Sequence, residues 1–185
     1  IIMKTFLTLF VLLFSSSVLS DDISDFQIEG ISIGSNLLDY YTKEEIKDHF
    51  RKNAYTHIEE NNKFYHTEFV GDSFKEYVVI QISYKIRNDN FYEISMIAGG
   101  IFCADDINAC YQKQDEIIND LSNIFKDFPK NKKTYNSENG KFTEINHKIS
   151  SGIIRIQVVE WNKEITWINN VRVILMADEF HDWLG

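Results

Sequence analysis

Residues 76–86 read EYVVIQISYKI. In an extended chain Val78, Ile80, Ile82, Tyr84 and Ile86 fall on one side, and Gln81, Ser83 and Lys85 on the other. An apolar period of two over this length predicts a half-buried strand and excludes a helix, whose apolar residues recur every three to four positions. RNDN (87–90) follows, and Asn and Asp tolerate the positive φ of a hairpin turn. The chain then returns as FYEISMIAGGIF (91–102), where Gly99 and Gly100 mark either a bulge or close packing by the next helix. FYHTEFV (64–70) precedes this pair as a third strand.

A second strand group lies downstream. KFTEINHKI (141–149) turns at Ser151-Gly152 into GIIRIQVVEW (152–161), and NNVRVILMA (169–177) comes last. Ile154, Ile156 and Val158 are expected to face in, with Arg155 and Gln157 facing out. Between the groups, Asp106 to Lys126 predicts one long helix. Ile107, Cys110, Ile117, Leu121, Ile124 and Phe125 lie on one side of it, and Gln112, Lys113, Asp115, Glu116 and Asp120 on the other. Pro129 and the polar run 130–141 predict a loop.

The remaining ends are short. FQIEGISIG (26–34) predicts an extended piece, after which Gly34 allows a tight turn and Ser35 caps a first helix over Asn36 to Tyr41. Thr42 and Glu45 form a capping box for a second helical segment running to about Phe50, and Leu37, Leu38, Tyr41 and Ile46 give the two segments a buried face. Phe180, Trp183 and Leu184 sit at helical spacing in a terminal helix. The order is α-α-β-β-β-α-β-β-β-α, an α+β class with about six antiparallel strands and helices on one side. The expected core includes Leu38, Ile80, Ile82, Met96, Ile117, Leu121, Ile156, Val158, Val173 and Trp183.

The N-terminal MKTFLTLFVLLFSSSVLS has one basic residue, an apolar run from Phe6 to Phe14, and Val18 and Ser20 at the −3 and −1 positions of a signal peptidase site. Residues 1–20 are therefore expected to be a signal peptide, with 21–185 the mature single domain in the periplasm or outside the cell. An oxidising destination favours a disulfide between the only two cysteines, Cys103 and Cys110. Seven residues apart on one helix they would be about 10 Å distant, beyond disulfide reach. They can pair only if the chain turns between them, and Asp105 and Asp106 supply a turn and a helix cap. A zinc or thioredoxin site would need CxxC or further ligands, so no metal and no cofactor are expected.

The formal charge is −9, and −10 without Lys4, which argues against nucleic acid and anionic membranes as partners. No later segment is apolar enough to span a bilayer. The histidines, His49, His57, His66, His147 and His181, form no known metal motif. His66 and Glu68 would share a strand face, and His147 and Glu144 lie close in sequence. Either pair is a candidate acid–base or metal pair against the simpler reading of a solvated strand. Gly30 and Gly34 precede a helix as a phosphate cradle would, but Glu29 and Asp39 would repel an anion, and a turn explains the glycines. Lys126, Lys130, Lys132 and Lys133 form a local basic patch. Trp161 and Trp167, with Glu160, Asn162 and Glu164, form either a sugar or peptide contact surface or a cap on the core.

FQIEGISIGSNLLDYYTKEEI (26–46), CYQKQDEIINDLSNIF (110–125) and EFHDWL (179–184) resemble a set of small exported proteins of Pelagibacter-like marine bacteria. That resemblance implies export and brings no activity with it. Gly30 and Gly34 before a short helix are also similar to modules of the SmpA type from outer-membrane assembly, although the lipid-anchor cysteine and the Gly-x-Pro of those modules are absent here. The expected role is a non-catalytic module that binds a protein or envelope component. The alternatives are a small hydrolase using His66, Glu68 or His147, and an envelope assembly or stability factor.

Overall fold

The computed structural model describes residues 22–51, 54, 62–71, 73–103, 106–129 and 131–185. The signal segment, Asp21, His57, Asp105 and Lys130 lie outside the described residues. The fold is α+β. A short hairpin, β1 (Gln27–Ile28) and β2 (Ile31–Ser32), leads to α1 (Lys43–Asp48). Three strands follow: β3 (Tyr65–Val70), β4 (Val79–Asn88) and β5 (Phe91–Phe102). Helix α2 (Ile107–Ile124) crosses to β6 (Lys133–Ser137), β7 (Gly140–Ile149), β8 (Gly152–Trp161) and β9 (Asn170–Ala177), and α3 (Asp178–Leu184) ends the chain. The main sheet has seven strands in the order β3-β4-β5-β9-β8-β7-β6, all antiparallel.

Several expectations change here. Residues 133–137, expected as loop, form β6, so the sheet has seven strands. The KTYNS strand is exposed at every position, and an edge strand with no buried face leaves no apolar signature. The expected first helix is a single 3₁₀ turn, Leu37–Asp39, capped by the Asn36 side chain rather than by Ser35. Leu37 fills the core there, while Leu38 is only partly buried. The extended piece 26–34 is the β1–β2 hairpin. Its central residues Glu29 and Gly30 have φ of 53° and 81°, the backbone of a primed turn. The capping box of α1 forms as read.

The sheet has two buried faces. On the first, α2 lies across β8 and β9, and the β1–β2 segment and the Leu37–Asp39 turn cover β5. Cys110, Ile117, Ile118 and Leu121 of α2 pack with Ile80, Ile82, Ile97, Ile145, Ile154, Ile156, Val158, Val173 and Leu175 of the sheet. Gln114, read as neither core nor surface, is also fully buried there. Its amide donates to the carbonyls of Thr143 (2.9 Å) and Ile156 (3.2 Å). On the second face α3 packs Phe180 and Trp183 against Phe64, Met96, Ala98, Ile153 and Met176. The helices thus cover both sides, not one. Ser83 and Lys85 of β4 are buried rather than solvated, and Ile86 is exposed.

Gly99 and Gly100 owe their identity to the start of β4 and to Tyr77, two residues before it. A Cβ on Gly99 would sit 2.4 Å from the Tyr77 ring, and one on Gly100 would sit 2.5 Å from Val79. The packing partner is therefore side chains of the preceding segment and not the next helix. The irregularities lie elsewhere: Ser83 faces Met96 and Tyr84 faces Ile94, which leaves Ser95 as an extra residue, and a second shift falls between Ile86 and Asn88.

Cys103 follows β5 and is bonded to Cys110 in the first turns of α2, with Cα atoms 5.4 Å apart. Asp106 caps the helix between them by accepting from the Asn108 N–H at 2.9 Å. Among the described residues no helix is long and apolar enough to cross a membrane.

Leu121→Ala should destabilise the protein by about 2–5 kcal/mol in urea titrations, since the side chain is 3% exposed and the cavity is walled by the sheet; a loss under about 1 kcal/mol would mean the helix face is elastic. Replacing Cys103 and Cys110 together by serine should lower the melting temperature by on the order of 5–10 °C, from the entropy of the short loop they close.

Candidate functional site

Helix α3 covers only one end of the second face. Among the described residues no helix covers that face towards β6, and the alternate residues of β6, β7, β8 and β9 line it. Tyr135, Phe142 and Trp161 point to this side in successive strands. Tyr135 and Phe142 are stacked with centroids 5.3 Å apart, and Phe142 meets Trp161 edge-on at 5.8 Å. Trp167, in the β8–β9 connection, continues the row edge-on to Trp161 at 4.6 Å. Trp167 is 62% exposed and Tyr135 45% exposed, so the two ends of the row face solvent. Trp161 is the partly buried cap that one reading expected, and Trp167 presents the open surface that the other expected. The backbone holds the row in place: Trp161 N–H donates to Asn169 Oδ1 (2.9 Å), and Asn162 ties the β6–β7 turn through Glu138 O (2.6 Å).

Beside the aromatics lies a polar network built on Glu144, which is 7% exposed. Gln157 Nε2 (2.8 Å), Asn146 Nδ2 (3.0 Å) and Tyr135 OH (3.3 Å) all donate to its carboxylate. Arg155 stands at 3.6 Å and also donates to Asn146 Oδ1 at 2.7 Å. Arg172 stacks over the Trp161 ring at 5.7 Å while its Nε donates to Asn170 Oδ1. Burial, followed by the Glu144 charge, holds the Tyr135 phenol above its ordinary range, so it stays a neutral donor. A satisfied buried carboxylate fixes its neighbours' geometry. The result is a surface of ring faces, amides and guanidinium groups.

The other candidate residues are not brought together. Glu144 and His147 lie on opposite faces of β7, because three residues along a strand reverse the side. His147 instead packs between Phe125 (4.7 Å) and Phe128 (4.9 Å) at the end of α2. His66 and Glu68 share the second face, yet Glu68 is occupied by an ion pair with Arg51 and by Gln81 Nε2 (2.6 Å). His66 Nδ1 bonds Ser83 Oγ at 2.8 Å across the β3–β4 pair. This has the chemistry of a nucleophile and its base, but Ser83 is fully buried and Trp183 stacks on the His66 ring at 6.0 Å. No substrate can reach the hydroxyl while α3 is docked. Of the basic patch, Lys132 is paired with Asp115 of α2 at 2.6 Å, and Lys133 begins β6 opposite Glu144.

Sequence reading missed Tyr135, Phe142, Gln157 and Arg172 as parts of one surface. The available signal was the turn-forming run Glu138-Asn139-Gly140: the chain reverses at Glu138-Asn139, which pairs Ser137 with Gly140 and sets Tyr135 beside Phe142. Among the described residues no group of three or more His, Cys, Asp or Glu side chains is placed to hold a metal. Comparison with family models, known proteins and solved structures finds no match.

Burial under α3 pushes the His66 pKa down from 6.5 to about 4. The unfolded chain takes up a proton below pH 6.5 that the folded chain refuses until about pH 4, so this contribution is complete above pH 6.5 and is lost as pH falls towards 4. Between pH 7 and pH 5 the loss should be about 2 kcal/mol. Urea midpoints at the two pH values measure it, and His66→Gln should flatten the difference by about that amount; an unchanged pH dependence in the variant would show that His66 titrates normally.

Proposed function

We propose that the chain is exported to an oxidising compartment and works there as a non-catalytic module that binds a protein or other envelope component. The observation that carries this reading is the open end of the second sheet face. Aromatic rings with exposed ends stand there against a buried, fully bonded Glu144 network, so the surface is rigid before any partner arrives. Rigid aromatics next to arginine are the side chains that dominate binding surfaces, because they desolvate large areas at small entropic cost. Export is supported by the signal-like N-terminus and by the Cys103–Cys110 bond.

A photo-crosslinking residue placed at Trp167 should capture a discrete partner in intact native cells, whereas the same residue at Glu116, on the outward side of α2, should not. Equal capture from both positions, or none from Trp167, would remove the surface from consideration. Trp167→Ala should abolish partner recovery at a stability change within about 0.5 kcal/mol, since the ring is exposed. The intact mass of the exported protein should correspond to a chain starting at Asp21.

A further inference from the structure

A second concavity lies at the opposite end of the molecule from the aromatic row, where the β1–β2 turn, α1 and the outer end of β3 meet. Its volume is about 660 Å³. Tyr41 and Phe69 form its wall as a parallel stack with centroids 3.9 Å apart, and His49 packs against the same Phe69 ring at 4.7 Å. Three carboxylates line it, Glu29, Asp39 and Glu45, against one lysine, Lys75.

Two of these carboxylates are fixed without being neutralised. Glu29 accepts the backbone N–H groups of Lys75 (3.0 Å), Glu76 (2.8 Å) and Tyr77 (3.4 Å). Glu45 accepts the N–H (2.7 Å) and hydroxyl (2.8 Å) of Thr42 in the capping box, and these bonds hold its pKa below the usual carboxylate value. Neutral donors orient a carboxylate and leave its charge in place. Among the described residues no lysine or arginine stands at salt-bridge distance from Glu29, Asp39 or Glu45. The field reaches the aromatic wall: the Tyr41 phenol is pushed up by burial, then by Glu45 and by Glu29. His49 Nδ1–H donates to the Glu68 carbonyl at 3.0 Å, which holds the ring against Phe69.

An electron-rich ring stack with oriented, unneutralised carboxylates is the chemistry that selects a cation carrying some apolar surface. Phe69 is buried behind Tyr41 and His49, so the partly buried Tyr41 ring is the one that attracts positive charge through its quadrupole and covers methylene or methyl groups, and the carboxylates hold the head. The geometry points to this cleft as a binding site for a small organic cation, an alkylamine or quaternary ammonium compound. A bare metal ion would waste the aromatic wall, and an anion would meet three carboxylates.

Calorimetric titration of the full mature protein with spermidine and with choline, at physiological salt, tests this. Saturable one-to-one binding of at least one cation is expected, with 1,4-butanediol, a neutral diol, binding at least tenfold more weakly. Glu45→Gln keeps the capping box, because glutamine serves equally at that position, and should weaken the cation at least tenfold with the melting temperature unchanged. Asp39→Asn should act in the same direction, and Asp120→Asn, on the outer side of α2, should have no effect. Three results would each overturn the assignment: loss of affinity in Asp120→Asn equal to that in Glu45→Gln, which marks diffuse attraction to an acidic surface; calcium binding more tightly than either amine; or no saturable binding of either cation.

Discussion

The pairing of β5 with β9 makes one sheet out of two. Strands β3 to β5 form one meander and β6 to β9 another, and among the described residues Met96–Phe102 against Asn170–Met176 is the only ladder joining them. Both helices that seal the faces depend on this seam. Helix α2 rests on β8 and β9 while tied by the disulfide to the end of β5, and α3 places Phe180 and Trp183 over Met96 of one meander and Met176 of the other. The two strands of the seam are far apart in sequence. Loop-closure entropy must therefore be met before either core is complete.

Strong periodicity made the central elements legible. The alternation in 78–86, the helix over 107–124 and the hairpin over 141–161 all stand where local pattern places them. The second buried face was legible only in part: Met96 and Trp183 were expected in the core and pack there, but Ser83, Lys85 and Gln157 look like solvent-facing residues. Each becomes acceptable inside only through a partner from elsewhere: His66 for Ser83, Glu179 for Lys85 and Glu144 for Gln157. Those partners lie 13 to 94 positions away in sequence, and no local period encodes them.

The candidate surface shows the same division. The two tryptophans stood out as a pair of aromatics on a strand connection, and their different fates follow from position. Trp161 ends a strand and turns against Phe142 and Arg172, whereas Trp167 lies in the connection and projects. Glu144 was noticed for its nearness to His147, but the strand separates them and gives Glu144 to residues of β6 and β8 instead. Sequence distance is a poor guide to contact in a sheet, where the nearest neighbours sit on adjacent strands.

The two ends of the main sheet differ in a way that bears on self-association. The outer side of β3 is occupied: Phe50 bridges Thr67, Arg51 N–H donates to His66 O at 2.8 Å, and Glu68 N–H donates to His49 O at 3.1 Å. Among the described residues nothing pairs with the outer side of β6. A fibril grows by edge addition only when every added unit brings a fresh edge with it. A unit with one open edge and one shut edge can meet a second copy open edge to open edge, after which neither has an edge left to offer. The short segment 49–51 thereby acts as a chain terminator, and caps stacking of this kind at two molecules.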